Sequence, residues 1–126
     1  MPKKAKKKPQ TEQFCQFMWE MRHKYHVKTT EISRITGISR DYCFKIFSGV
    51  KHTKEFDYII LFALAIGMSL EETAVALDLN GMNVFGVTYR DVILMNSINR
   101  GRSIRETNRE LEEAGLPELR FCKEEL

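Results

Sequence analysis

The chain has no apolar stretch long enough to cross a bilayer: its longest run, residues 58–66, spans nine residues, where a membrane helix needs roughly 20. Cysteine is scarce as well. Cys15, Cys43 and Cys122 are odd in number, widely spaced and form no CxxC pair, which suits reduced thiols in a cytosol better than a disulfide framework. A cytoplasmic protein is therefore expected. No nucleophile–base pair, glycine-rich phosphate loop or metal-ligand cluster appears, so neither an enzyme nor a cofactor is expected. His23 and His26 are spaced to share a helix face, but no second ligand pair lies near them, and packing or surface roles are expected in place of zinc.

Charge is present, and it is unevenly spread. Residues 1–54 hold 13 Lys or Arg against 4 Asp or Glu, whereas residues 55–126 hold 7 against 13. The overall +3 thus conceals a basic half and an acidic half, a division that points to a polyanionic partner on one side. Five of the positive charges lie in the tail MPKKAKKKPQ. That tail has little to bury and is expected to be a disordered arm over residues 1–10, drawn electrostatically to a polyanion. No apolar stretch follows it, so a secretory signal is not expected.

Residues 29–49 read TTEISRITGISRDYCFKIFSG, two short helical segments around a bend at Gly37-Ile38-Ser39. Gly37 lacks a Cβ and can take the left-handed conformation that ends a helix, and Ser39 can cap the next one. Ile32 and Ile35 from the first segment, with Cys43, Ile46, Phe47 and Val50 from the second, are expected to face inward. Arg40, Asp41, Phe44, Lys45 and Ser48 form the opposite, outward stripe.

The segment resembles the Cro-like, lambda-repressor-like helix-turn-helix family, also called the xenobiotic-response-element family. The resemblance rests on Ile32, Gly37-Ile38-Ser39, Arg40, Tyr42, Ile46 and Gly49, followed by the run LFALAIGMSL at residues 61–70, and it covers roughly residues 12–79. The chain departs from the family pattern at Ser33, where a small Ala is common, at Thr29 and Arg40, where Gln is common, and at Phe44, where a polar residue is usual. The resemblance implies an all-α helix-turn-helix domain over residues 11–79. With a loop and a helical hairpin packed on it over residues 80–126, as an internal repeat indicates, the expected fold is all-α with about seven helices.

That carboxyl-terminal part contains a repeat. Residues 57–82 overlay residues 91–116 without a gap, with identities at Asp57/Asp91, Ile59/Ile93, Gly67/Gly101, Ser69/Ser103, Glu72/Glu106, Thr73/Thr107, Leu77/Leu111 and Gly81/Gly115. Ser69-x-x-Glu72 and Ser103-x-x-Glu106 read as capping boxes, so two hairpins of one shape are expected. The first copy's opening helix is apolar on every side and is expected to be buried; its counterpart at residues 92–99 has a polar face and belongs at the periphery. Val84, Phe85 and Val87 mark the intervening loop as a cover for core edges or as a contact with a second subunit.

The family resemblance implies a sequence-specific, dimeric regulator of transcription, of bacterial or phage type and often repressor-like, acting on double-stranded DNA. Arg40 and Lys45 would then face the groove, Phe44 would pack on a thymine methyl, and Asp41 would accept from a cytosine amino group or hold Arg40. Thr29 and Thr30 would cap the first helix of the motif and offer donors to a phosphate. Ser39 would cap the recognition helix, and Lys51, His52 and Lys54 would reach the backbone. The other reading is a protein-interaction adaptor on the same scaffold, favoured by the outward Phe44, by Asp41 and by the acidic second half, with a partner held by the carboxyl-terminal hairpin.

Overall fold

Most helices in this chain start at hydroxyl groups, and several stop at glycines. The computed structural model describes residues 9–83, 85–86 and 88–119. Among them seven α-helices follow one another without a strand: α1 (Pro9–Lys24), α2 (Thr29–Thr36), α3 (Arg40–Ser48), α4 (Phe56–Ile66), α5 (Leu70–Leu79), α6 (Tyr89–Asn99) and α7 (Ile104–Glu113). The all-α class and the expected helix count are both met. The boundary of the basic arm moves, because Pro9 and Gln10 already belong to α1. Proline is well suited to a first helical position, since its missing N–H would have had no partner there. The lysines at residues 3–8 lie outside the described residues.

The α2–α3 bend forms as its residues dictate. Gly37 ends α2 at φ 85°, and its N–H donates to Ser33 O. Ser39 then accepts from Tyr42 N–H at 3.2 Å to open α3. The inside of the bend is held by hydroxyls. Ser33 Oγ donates to Ile38 O at 2.6 Å, Thr36 Oγ1 donates to Ile32 O at 2.8 Å, and Ile38 N–H donates to Thr36 Oγ1 at 3.1 Å. These bonds let two polar side chains occupy the interior without leaving a donor or acceptor stranded.

The inward stripe of α2 is consequently Thr29, Ile32, Ser33 and Thr36. Ile35 was expected inside but is 42% exposed, turned toward α7, where it lines a groove with Ile104 and Asn108. Val50 also departs from expectation, at 74% exposure. It follows Gly49, whose φ of 87° closes α3 and turns the chain outward before the stripe can continue. Cys43, Ile46 and Phe47 are buried as expected.

The middle of the molecule is α4. Residues 59–63 have no exposed surface, and the helix packs against α2, α5, α6 and α7. It thus lies between the helix-turn-helix and the second hairpin, as its all-round apolar character favours, and the two meet beside it where Ile35 and α7 line a groove. The two hairpins repeat each other closely. Ser69 and Ser103 accept from Glu72 N–H and Glu106 N–H at 3.1 and 3.0 Å, and each glutamate accepts its serine's N–H at 2.9 Å. Thr73 and Thr107 each donate to the preceding serine carbonyl at 2.8 Å. The glycines also match, with Gly67 and Gly101 at φ 89° and 66°, and Gly81 and Gly115 at 76° and 73°.

The second hairpin is fixed by Arg90, at the start of α6. Its guanidinium grips the Asp57 carboxylate at 3.1 and 3.0 Å and donates from Nε to Pro117 O at 2.8 Å. One side chain therefore ties α4, α6 and the segment after α7. Within the loop before α6, Phe85 packs edge-on to Phe56 at 5.9 Å and covers a core edge. Val84 and Val87 lie outside the described residues.

Candidate functional site

The outer face of α3 carries Arg40, Asp41, Phe44, Lys45 and Ser48, all exposed, while Cys43, Ile46 and Phe47 anchor its inner face. Arg40 is the first residue of the helix, directly after the Ser39 cap, and makes no hydrogen bond or ion pair with another described residue. Phe44 is 50% exposed, a large aromatic surface left to solvent at the centre of the stripe. Asp41 does not hold Arg40. Its partner is Lys45, one turn along, at 3.0 Å, the spacing at which helical side chains meet. Two of the expected contact residues are thus paired with each other.

The segment after α3 is held from two sides. Lys51 N–H donates to Lys45 O at 3.0 Å, and its ammonium lies 6.0 Å from the centre of the Tyr42 ring. Tyr42 itself packs edge-on to Tyr58 of α4. Thr53 is buried, with its carbonyl accepting from Asn80 Nδ2 at 3.1 Å and its hydroxyl accepting from Glu55 N–H at 3.1 Å. Lys51, His52 and Lys54 stay exposed along this tethered backbone, beside α3.

The threonines at the start of α2 behave differently from expectation. Lys28, not a threonine, is the N-cap residue, and its N–H donates to Glu31 Oε1 at 2.8 Å. Thr29 is buried and its hydroxyl accepts from Arg22 Nη1 at 3.1 Å, so that side chain is not presented to a partner. Thr30 is exposed. Together with Phe44, it lines a cavity of about 530 Å³ that also involves Arg22, His23, His26 and Lys28.

Reading the sequence had missed this basic surround. The signal was available in the close run of Arg22, His23, Lys24, His26 and Lys28. The two histidines do not share a helix: α1 ends at Lys24, and His26 lies beyond it at φ 58°. No group of three metal-ligating side chains occurs among the described residues.

Arg22 is the most constrained cation near this face. Its guanidinium carbon lies 4.6 Å from the centre of the Phe47 ring, and it pairs with no carboxylate among the described residues. Burial pulls its pKa below the ordinary arginine value, opposed in part by Cys15. The thiol of Cys15 is pushed up by burial, partly offset by Arg22, and so stays protonated at neutral pH. Among the described residues neither Cys15 nor Cys43 is in a disulfide, and Cys122 lies outside them.

What this arrangement offers chemically is a surface for binding. A projecting helix with an arginine at its start and an aromatic at its centre is flanked by a fixed basic loop on one side and a basic cavity on the other. No protein-family model matches the chain, and neither does any curated protein or solved structure. No described helix is long and apolar enough to cross a membrane.

Proposed function

We propose that the protein is a sequence-specific DNA-binding regulator of transcription, dimeric and cytoplasmic, with a Cro-like helix-turn-helix formed by α2 and α3. The observation that carries this reading is the outward presentation of the α3 stripe beside the cations of residues 51–54. An arginine in that position can grip guanine through two hydrogen bonds, and a half-exposed phenylalanine suits the methyl group of thymine. Lys51 and Lys54 lie where phosphate contacts would fix the register of the helix, and Thr30 with Lys28 and His26 provides a second such contact on the opposite side. Dimerisation follows from the short reach of one recognition helix, which pairs half-sites by symmetry.

A second reading keeps the scaffold and drops the DNA. The Asp41–Lys45 pair makes the middle of the stripe nearly neutral, and Phe44 then resembles an interface anchor. A protein partner would engage this face or the carboxyl-terminal hairpin. Selection of bound duplexes from a random pool, followed by salt titration, separates the two. A DNA regulator yields a common half-site, with affinity falling by about 10³-fold or more between 50 and 200 mM salt for a protein making several phosphate contacts. Arg40→Ala should flatten the preference among sequences, at a cost of about 1–3 kcal/mol on the best site, whereas Lys51→Ala should weaken all duplexes alike. A pool that gives no enrichment and no salt-sensitive binding sinks the DNA reading.

A further inference from the structure

The helices differ in what they show to solvent. α4 has no exposed residue, and α1, α2, α3, α5 and α7 each present at least one exposed charged side chain. α6 is the exception. Its exposed residues are Tyr89, Val92, Asn96 and Asn99, none of them charged, with Tyr89 64% and Val92 45% open to solvent. Other exposed apolar side chains stand among charges. Val75 lies between the exposed Glu71 and Asp78, and Phe44 lies beside Arg40, Asp41 and Lys45.

The four α6 residues form one strip. Spacings of three, four and three residues keep them on a single side of the helix, over a length of about 15 Å. The opposite side, with Ile93, Leu94, Ser97 and Ile98, is buried against α4, α5 and α7. Helix formation does not explain the outer choice. Asparagine ranks low among helix formers, and a lysine or glutamate at position 96 would serve both the helix and its solubility better. Tyrosine with few charges around it is instead the composition of interface centres.

Charge and symmetry indicate what covers the strip. Residues 55–126 hold 7 Lys or Arg against 13 Asp or Glu, so two copies of this acidic half repel wherever their charged faces meet, and an uncharged strip is where they can approach. The strip is also its own complement. Two α6 helices crossing antiparallel about a two-fold axis at the level of Leu94 would set Val92 of one copy against Asn96 of the other, and Tyr89 against Asn99. Each asparagine amide brings both a donor and an acceptor to such a meeting. The exposed Arg100, just past the helix end, would come beside the other copy's Tyr89 ring.

We propose that the outer strip of α6 is the contact between two copies of this chain, with the helices antiparallel. The inference rests on the dimeric part of the reading above, whose surface it names, and not on DNA recognition. So short a strip falls below the roughly 800 Å² per partner of a standard interface, which sets the expected Kd on the order of 100 µM.

Sedimentation equilibrium of the full chain without DNA, up to about 1 mM, tests the proposal, with amide NMR on dilution to locate the contact. A monomer–dimer equilibrium is expected, with concentration-dependent shifts centred on residues 89–100. Val92→Glu should weaken self-association at least about tenfold by bringing two carboxylates toward the axis. Val75→Glu, the same charge change at an exposed position of α5, should alter it less than about twofold. An equimolar mixture of Val92→Glu and Asn96→Lys chains should associate at least about tenfold more tightly than either variant alone, because opposite charges face each other across the axis only in the mixed pair. All three positions are exposed, so the substitutions leave the core intact. A monomer throughout the range, equal loss from Val75→Glu, or no gain in the mixture would overturn the proposal. A chain that pairs through α6 yet enriches no duplex loses the DNA reading alone, and one that enriches a half-site while staying monomeric loses this inference alone.

Discussion

The hairpins α4–α5 and α6–α7 share their caps, glycines and threonine back-bonds, yet one lies at the centre of the molecule and the other at its side. Local grammar sets the shape of each hairpin, and the polarity of its first helix sets its depth. Phe62 is fully buried against Phe47, with ring centres 4.9 Å apart, whereas Asn96, at the corresponding place in the second copy, is exposed. The aspartates diverge in the same way. Asp57 receives both arms of Arg90, while Asp91 accepts the Gly86 N–H at 2.7 Å. Matching residues thus hold the hairpins together in one copy and only shape a local turn in the other.

The comparison breaks most readily at the core. Phe62→Ala should lower unfolding free energy by about 3–5 kcal/mol in urea melts, whereas Asn96→Ala should stay within about 0.5 kcal/mol. Similar values at both positions would mean that depth is not what distinguishes the copies. The next effect is at the join. Asp57→Ala leaves Arg90 without its carboxylate in a partly buried setting and should cost about 1–3 kcal/mol, below the figure for a fully buried pair. Hydrogen exchange should then accelerate in α6 and α7 more than in α2 and α3. Asp91→Ala should affect the loop at 85–88 and little else.

The smallest effect is in acid. Burial pushes the Glu72 carboxyl up, but the Lys24 ammonium, the Ser69 N–H and the Tyr25 hydroxyl together outweigh it and hold its pKa at about 2, against an ordinary 4.5. The folded value is the lower one. The stability Glu72 contributes is therefore complete above about 4.5 and fades as pH falls from 4.5 toward 2. Glu72→Gln should flatten the stability profile in that window. Glu106→Gln should do so less, because its carboxyl, also held down chiefly by its serine N–H, has no tie to α1. Equal flattening by the two variants would erase this distinction between the caps.

The bend at residues 37–39, both capping boxes and the buried α4 were legible in the sequence because each is written in neighbouring residues: a glycine beside a cap, a serine three before a glutamate, an unbroken apolar run. Ile35 and Val50 misled for a common reason. Apolar spacing alone does not reveal that Ser33 and Thr36 satisfy their hydroxyls internally and take inward places, nor that Gly49 ends the periodicity before Val50. The outward stripe of α3 followed from the same spacing and was read correctly, residue by residue. Its ion pair was assigned to the wrong neighbour: Arg40 is adjacent to Asp41 in sequence, but a helix brings the residue four on, Lys45, beside it. Arg22 and Arg90 were invisible as hubs because their partners are 7 to 33 residues away, and only the packed helices bring them together.

The bond from Asn80 to the Thr53 carbonyl has a bearing on how quickly and how tightly the basic segment can engage anything. Its main chain is already moored to the far end of α5, so docking freezes lysine rotamers but little backbone. Ordering penalties of the kind that weaken capture by floppy loops are thereby largely met in advance, and loosening that mooring with Asn80→Ala would slacken the grip without removing a single cation.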